Sequence, residues 1–97
     1  MFVVLIHYDR PAEEVARVRP AHREFLQRYY ASGHLVCSGP QVGGHGGVAL
    51  ARGADRAEVE AIFAQDPYRL QGVAHHELIE FQVVSHAPEL APFLAPR

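Results

Sequence analysis

"FVVLIHY", residues 2–8, opens the chain as a near-continuous apolar run rich in β-branched side chains. A strand wetted on one side alternates apolar and polar residues; an unbroken run needs a cover on both faces. The fold therefore turns on what supplies those two covers. Outward from this strand, "DRPAEEVARVRP" (9–20) reads as a charged lead-in. A helix is predicted to begin near Pro20, where a first-turn proline is favourable, and to end at Gly33, placed for a left-handed cap. "LVCSG" (35–39) and "VALA" (48–51) are short strands around the hairpin loop "PQVGGHGG" (40–47). Asp55 and Glu58 have capping-box spacing and open a second helix through Gln65. "DPYRLQG" (66–72) is a turn, and "HHELIEFQVVS" (75–85) alternates as the last strand.

The resulting order, β-α-β-β-α-β, is the split βαβ or ferredoxin-like arrangement of the α+β class. It implies a four-stranded antiparallel sheet with both helices on one face, formed by residues 1–86. A Pro-rich tail, 87–97, follows; its prolines at 88, 92 and 96 exclude a long helix, while Leu90, Phe93 and Leu94 are too apolar for a purely solvated end. An ordered arm and a frayed terminus both fit that composition. Two helices cover one sheet face only. The other face of the first strand, Val3, Leu5 and His7, then needs a second copy of the chain, which predicts a homodimer packed sheet to sheet into a barrel.

Composition narrows the function. Net charge is −2, and no basic run exists to attract nucleic acid or anionic lipid. The apolar run at the start is too short to span a bilayer, and no signal peptide is evident. Cys37 is the single cysteine, which suits the cytoplasm. The chain has no lysine, so Schiff-base and pyridoxal phosphate chemistry are excluded. Ser32, Ser38, Ser85 and Cys37 are its hydroxyl or thiol nucleophiles apart from tyrosine, and none sits in a G-x-S-x-G elbow. Seven histidines invite a metal, but no helical H-x-x-x-H pair is present, and adjacent His75 and His76 point to opposite faces of a strand. His7 and His22 can meet across strand and helix, yet a third ligand is missing. The glycines around His45 join two strands and open no helix, so no phosphate cradle is expected there, and His45 should be solvated.

"RPAHREFLQRYY" (19–30) puts an imidazole, His22, on the stripe the first helix buries with Phe25, Leu26 and Tyr29. The second helix answers it. Seven residues beyond Val59, on the stripe of Val59, Ile62 and Phe63, stands Asp66. A buried carboxylate is costly unless paired, and an imidazole is its natural partner. The spacing therefore predicts a His22–Asp66 dyad at the edge of a cleft. The plainer readings are a satisfied core histidine and a turn residue whose carboxylate bonds backbone ahead of Pro67. Tyr68 either lines the cleft or packs beneath the last strand.

Arg19-Pro20-Ala21-His22, Gly33, Ser38-Gly39-Pro40, Asp66-Pro67-Tyr68 and Gly72, in that order and spacing, resemble the YciI-like (YCII-related) proteins. The resemblance spans the chain from the first strand to about Ser85. It implies a small dimeric ferredoxin-like α/β barrel, related in shape to muconolactone isomerases, with a histidine–aspartate pair in a cleft at His22 and Asp66. One branch of the family resembles a dehydrochlorinase acting on a chlorinated hydroxyhydroquinone, which implies chemistry without metal or organic cofactor. This chain departs from the pattern at Arg23, where an apolar residue is usual, at "QVVSHAP", which lacks a proline–aromatic pair, and in its long tail.

The expected activity is cofactor-independent acid/base chemistry on a small molecule: elimination, isomerisation or water-activated cleavage. Asp66 would fix the tautomer of His22, and the imidazole would move the proton. Ser38, Gly39, Tyr68 and His7 are the candidate substrate-binding residues. A non-catalytic small-molecule binding module with the same pair as a polar anchor is the rival. A cofactor-independent monooxygenase fits less well, since such sites often use tryptophan and asparagine, both absent here.

Overall fold

β1 (Phe2–Tyr8) lies inside a four-stranded antiparallel sheet of order β2-β3-β1-β4, in a computed structural model that describes residues 1–94. β2 is Leu35–Pro40, β3 is Gly46–Ala51 and β4 is Ala74–Glu80. β1 pairs with β3 from Phe2↔Ala51 to His7↔Gly46, and with β4 from Phe2↔Glu80 to Tyr8↔Ala74. The long helices, α1 (Ala12–Ala31) and α2 (Arg56–Phe63), pack on one face, and a single-turn helix, α3 (Pro67–Leu70), leads into β4. This is the ferredoxin-like arrangement.

The sheet's pleat sorts its side chains. Phe2, Val4 and Ile6 point under the helices and are buried, as are Ala49 and Ala51 of β3. Phe25 and Leu26 from α1, and Val59 and Phe63 from α2, close the main core over Phe2 and Val4. Each such large apolar side chain contributes about 1.5–3 kcal/mol by leaving water. A second cluster, Ile6, Val15, Tyr68, Val73 and Ala74, lies under the start of α1. The candidate site residues His22 and Asp66 sit beside it.

α1 starts eight residues earlier than its sequence suggests. Pro11, extended at φ −58° and ψ 156°, precedes the first turn, and Glu13 and Glu14 lie where the helix dipole favours acids. Pro20 is inside the helix. Its missing N–H removes the ordinary helical donor of the Ala16 carbonyl, but both residues are on the exposed face, where water can replace that bond. The helix closes on Ser32, and Gly33, at φ 84°, donates back to Tyr30 O at 3.2 Å. Asp55 caps α2 by accepting from the Glu58 N–H at 2.9 Å; Glu58 reaches past the cap to the Ala54 N–H at 3.1 Å.

β3 begins at Gly46, inside the expected loop. A Cβ at that position would lie 2.1 Å from the Ile6 carbonyl oxygen, so only glycine lets the strand close on β1. His45 is exposed, though its ring rests edge-on against Tyr8 with centroids 5.0 Å apart. β4 stops at Glu80, short of the expected Ser85, because its partner β1 ends at Phe2; the last tie is Phe81 N–H to Met1 O at 2.9 Å. Within the tail, Pro88–Phe93 forms a 3-10 helix held by Arg52, which donates to Pro92 O at 3.2 Å. Residues 95–97 of that tail lie outside the described residues. No helix among the described residues is long and apolar enough to cross a membrane.

Candidate active site

Asp66 is buried by a different route from the one its spacing suggests. α2 ends at Phe63, and Asp66 caps α3 instead, with Oδ1 accepting the Tyr68 N–H at 3.0 Å. Pro67 holds Asp66 extended, at φ −61° and ψ 125°, which suits a cap residue. The same Oδ1 lies 2.8 Å from His22 Nδ1, and Oδ2 lies 2.9 Å from His76 Nε2. The pair and the backbone cap are therefore both present, on one oxygen.

His76 was not singled out by its sequence position. β4 turns Ala74, His76 and Leu78 toward the helices and His75 and Glu77 away, and this register brings His76 under Asp66. Three side chains from three elements meet here with exposures of 9% (His22), 0% (Asp66) and 2% (His76). Burial, the largest influence, pushes the Asp66 carboxyl up; the hydrogen bonds from His22 and His76 and the Tyr68 amide together outweigh it and hold the carboxyl below its ordinary value. Asp66 is thus ionised and accepts. Each imidazole donates to it, from Nδ1 of His22 and from Nε2 of His76, which leaves Nε2 of His22 without a protein partner among the described residues.

His22 borders an open cleft of about 590 Å³ between α1 and the β2–β3 hairpin. Tyr68 stacks on its ring with centroids 3.9 Å apart, and Arg19 Nε–H donates to the Tyr68 hydroxyl at 3.1 Å. Burial and the neighbouring Tyr8 raise the Tyr68 phenol against the pull of Arg19, so the hydroxyl keeps its proton as a donor. Ser38 and Gly39 line the opposite wall, where Ser38 Oγ bonds the hydroxyl of Tyr30. Arg23 stands at the same cleft. His7 does not. It projects from the other face of the sheet, bonds Glu77 at 2.9 Å and stacks on His75, because odd residues of β1 face away from the helices. Arg19, Tyr8 and Tyr30 join the cleft without having been predicted to. Among the described residues no group of three or more His, Cys, Asp or Glu side chains is placed to hold a metal ion.

Residues 1–82 match the profile of the YCII-related domain. The chain belongs to the YCII-related family. A solved structure of similar fold is 5-chloro-2-hydroxyhydroquinone dehydrochlorinase from Burkholderia phenoliruptrix AC1100, in complex with 2,5-dihydroxybenzoquinone. It superimposes with a TM-score of 0.67 and 19% identity over 84% of this chain and 94% of that one. No curated protein matches this chain in a direct comparison. The YCII-related fold thus frames the cleft.

Proposed function

We propose that this YCII-related protein is a cofactor-independent enzyme that moves a proton on a small molecule, with His22 Nε2 as general acid/base. The observation that carries the proposal is the 2.8 Å contact of His22 Nδ1 with buried Asp66. It orients the ring and fixes its tautomer, so the second nitrogen is presented to the cleft. Elimination suits this set best. The base takes the proton, the electrons of that bond form the new π bond, and the leaving group departs with its own pair. Asp66 stabilises the imidazolium until the proton passes to water. Tyr68 and Ser38 hydroxyls, with Arg19 behind Tyr68, would hold the oxygens of a hydroxylated ring, and Gly39 would let it approach the β2 backbone.

The same proposal includes a homodimer in the cytoplasm. Val3, Leu5, Val48, Leu50 and Ile79 share the sheet face that no helix covers. Val48 and Ile79 remain 37% and 46% exposed, which a second copy of this face would bury.

The test uses the ligand class of the similar fold. Wild-type protein is mixed with a chlorinated hydroxyhydroquinone, and chloride release is followed beside thermal stabilisation by 2,5-dihydroxybenzoquinone. Turnover that falls about 10²–10⁴-fold in His22→Gln supports the enzyme reading. Stabilisation without turnover across halogenated, isomerisable and hydrolysable ring substrates supports a binding module in its place.

A further inference from the structure

Asp66 is not a simple partner of His22. It stands between two imidazoles, and the second one is more deeply enclosed than the first: the His76 side chain is 2% exposed, against 9% for His22. We infer that His76 is a positioning residue, the third member of a His76–Asp66–His22 chain whose Nε2–H holds the carboxylate so that its other oxygen fixes the Nδ1–H tautomer of His22. The inference rests on the proposed role of His22 and adds a residue that the cleft does not touch.

The geometry assigns each donor one task. Oδ1 takes both the His22 Nδ1–H and the Tyr68 amide, at 2.8 and 3.0 Å. Oδ2 has a single donor among the described residues, His76 Nε2–H at 2.9 Å. Without it, Oδ2 would be a buried, charged oxygen with no partner. The carboxylate could answer by rotating Oδ2 toward one of the donors on Oδ1, or by taking up a proton. Rotation weakens the aim at His22; protonation turns the acceptor into a group that no longer demands an N–H from Nδ1. Either response frees the His22 ring to exchange its proton between nitrogens, and an Nε2–H tautomer cannot act as a base toward the cleft.

His76 is itself firmly held. Its ring lies against Phe63, centroids 5.2 Å apart, on the strand that pairs with Ile6. Its Nδ1 is buried without a hydrogen-bond partner among the described residues. A buried imidazole that leaves one nitrogen unsatisfied is an expensive way to fill space beside a phenylalanine, where leucine would pack without that cost. The bond to Asp66 accounts for its presence. Among the described residues, His22 from α1 and His76 from β4 bond the carboxylate, the Tyr68 ring from α3 stacks on His22 with Arg19 beyond its phenol, and Arg69 and Glu77 border the same cavity as His76.

The experiment needs no substrate, so its outcome is separate from that of the activity assay. The ring nitrogens of His22 are observed by ¹⁵N NMR at neutral pH in wild type, His76→Phe, His76→Gln and His76→Asn, and the Asp66 carboxyl is titrated by ¹³C NMR. Wild type should show one tautomer, Nδ1–H, and a low Asp66 midpoint. The phenylalanine keeps a ring but no donor, and should give mixed tautomers with the Asp66 midpoint moved up. Glutamine can place an amide N–H near the position of Nε2 and should restore both readings, whereas the shorter asparagine should not. If the phenylalanine variant fails to fold, the Gln–Asn contrast carries the test. A single Nδ1–H tautomer and an unmoved Asp66 midpoint in folded His76→Phe, or no difference between Gln and Asn, overturns the inference even if His22 proves essential for turnover.

Discussion

The ring of Tyr68 lies flat on the ring of His22, with centroids 3.9 Å apart and planes 8° from parallel. The stack follows from the cap on α3: Asp66 accepts the Tyr68 amide and the His22 imidazole on the same oxygen, so the two rings leave one point on neighbouring paths. A carboxylate fixes the edge of His22 and an aromatic plane fixes its face. The imidazole is thereby held in one orientation, the preorganisation that the proposed acid/base role requires.

Truncating Tyr68 separates those roles. Tyr68→Ala removes a side chain that is 2% exposed and should cost about 3–5 kcal/mol in urea unfolding, as large aromatic truncations do. Tyr68→Phe keeps the stack and loses the Arg19 bond, a hydrogen bond to a charged group worth about 1.5–3 kcal/mol. Equal stability losses in the two variants would show that the ring contributes nothing beyond its hydroxyl.

Asp66 makes stability depend on acid. Its folded-state pKa is lowered from the model-peptide value of 3.8, so its contribution is complete above that value and is lost as pH falls through the depressed folded one. Asp66→Asn cannot ionise and lacks that dependence. The stability gap between wild type and Asp66→Asn should be widest near neutrality and narrow as pH is taken below the ordinary carboxylate range, measured by denaturant unfolding at a series of pH values. A gap that widens in acid would reverse the sign of the argument.

Much of the fold is legible in the sequence. Element order, the apolar stripes of Phe25 with Leu26 and of Val59 with Phe63, and the Gly33 cap follow from periodicity and turn chemistry; the cost of burying a carboxylate points to a partner for Asp66, although its burial comes from the cap of α3 and not from the α2 stripe. The errors have local causes. The eight residues between Pro11 and Pro20, rich in charge, look like a loop, yet their acids lie at the helix start and the gap left by Pro20 faces water. The place of His7 beside Leu5 and Val3 on one side of β1 puts it on the face away from the helices, and the alternation of the strand alone shows this. His76 was legible by the reasoning applied to His22: a polar ring at an inward position of an alternating strand demands a partner, and only the pairing with Asp66 was already taken. Sequence spacing does not reveal that one carboxylate serves two rings.

The uncovered sheet face predicts the assembly. Leu50 sits opposite Val3 on β1 and Cys37 on β2, at the middle of the apolar patch. Light scattering at micromolar concentration should find two chains of 10.8 kDa associated in wild type. Leu50→Glu should yield a folded monomer with unchanged circular dichroism, since the side chain lies outside the helix-covered core. A wild-type monomer, or a Leu50→Glu protein that stays associated, would falsify the sheet-to-sheet dimer.

Arg52 ties the C-terminal end of α1 to the tail, and its removal should be felt at both. Its Nε–H donates to the Gly33 carbonyl at 2.6 Å, beside the cap of α1, and its Nη1 reaches Pro92 O at 3.2 Å. The guanidinium also lies 5.6 Å from the centre of the Phe93 ring, close enough for a cation–π contact. Phe93→Ala loses the ring contact alone, about 0.5–1 kcal/mol at an exposed site. Arg52→Ala loses that contact together with two charge-assisted hydrogen bonds, and the bond to Gly33, being part-buried, leaves a carbonyl to be satisfied by water. Arg52→Ala should therefore lower the melting temperature more than Phe93→Ala does, while both variants should expose residues 88–94 to faster proteolysis. If the two variants melted alike, the Gly33 bond would carry no stability; if neither changed the rate of cleavage, Arg52 and Phe93 would not be what holds the arm.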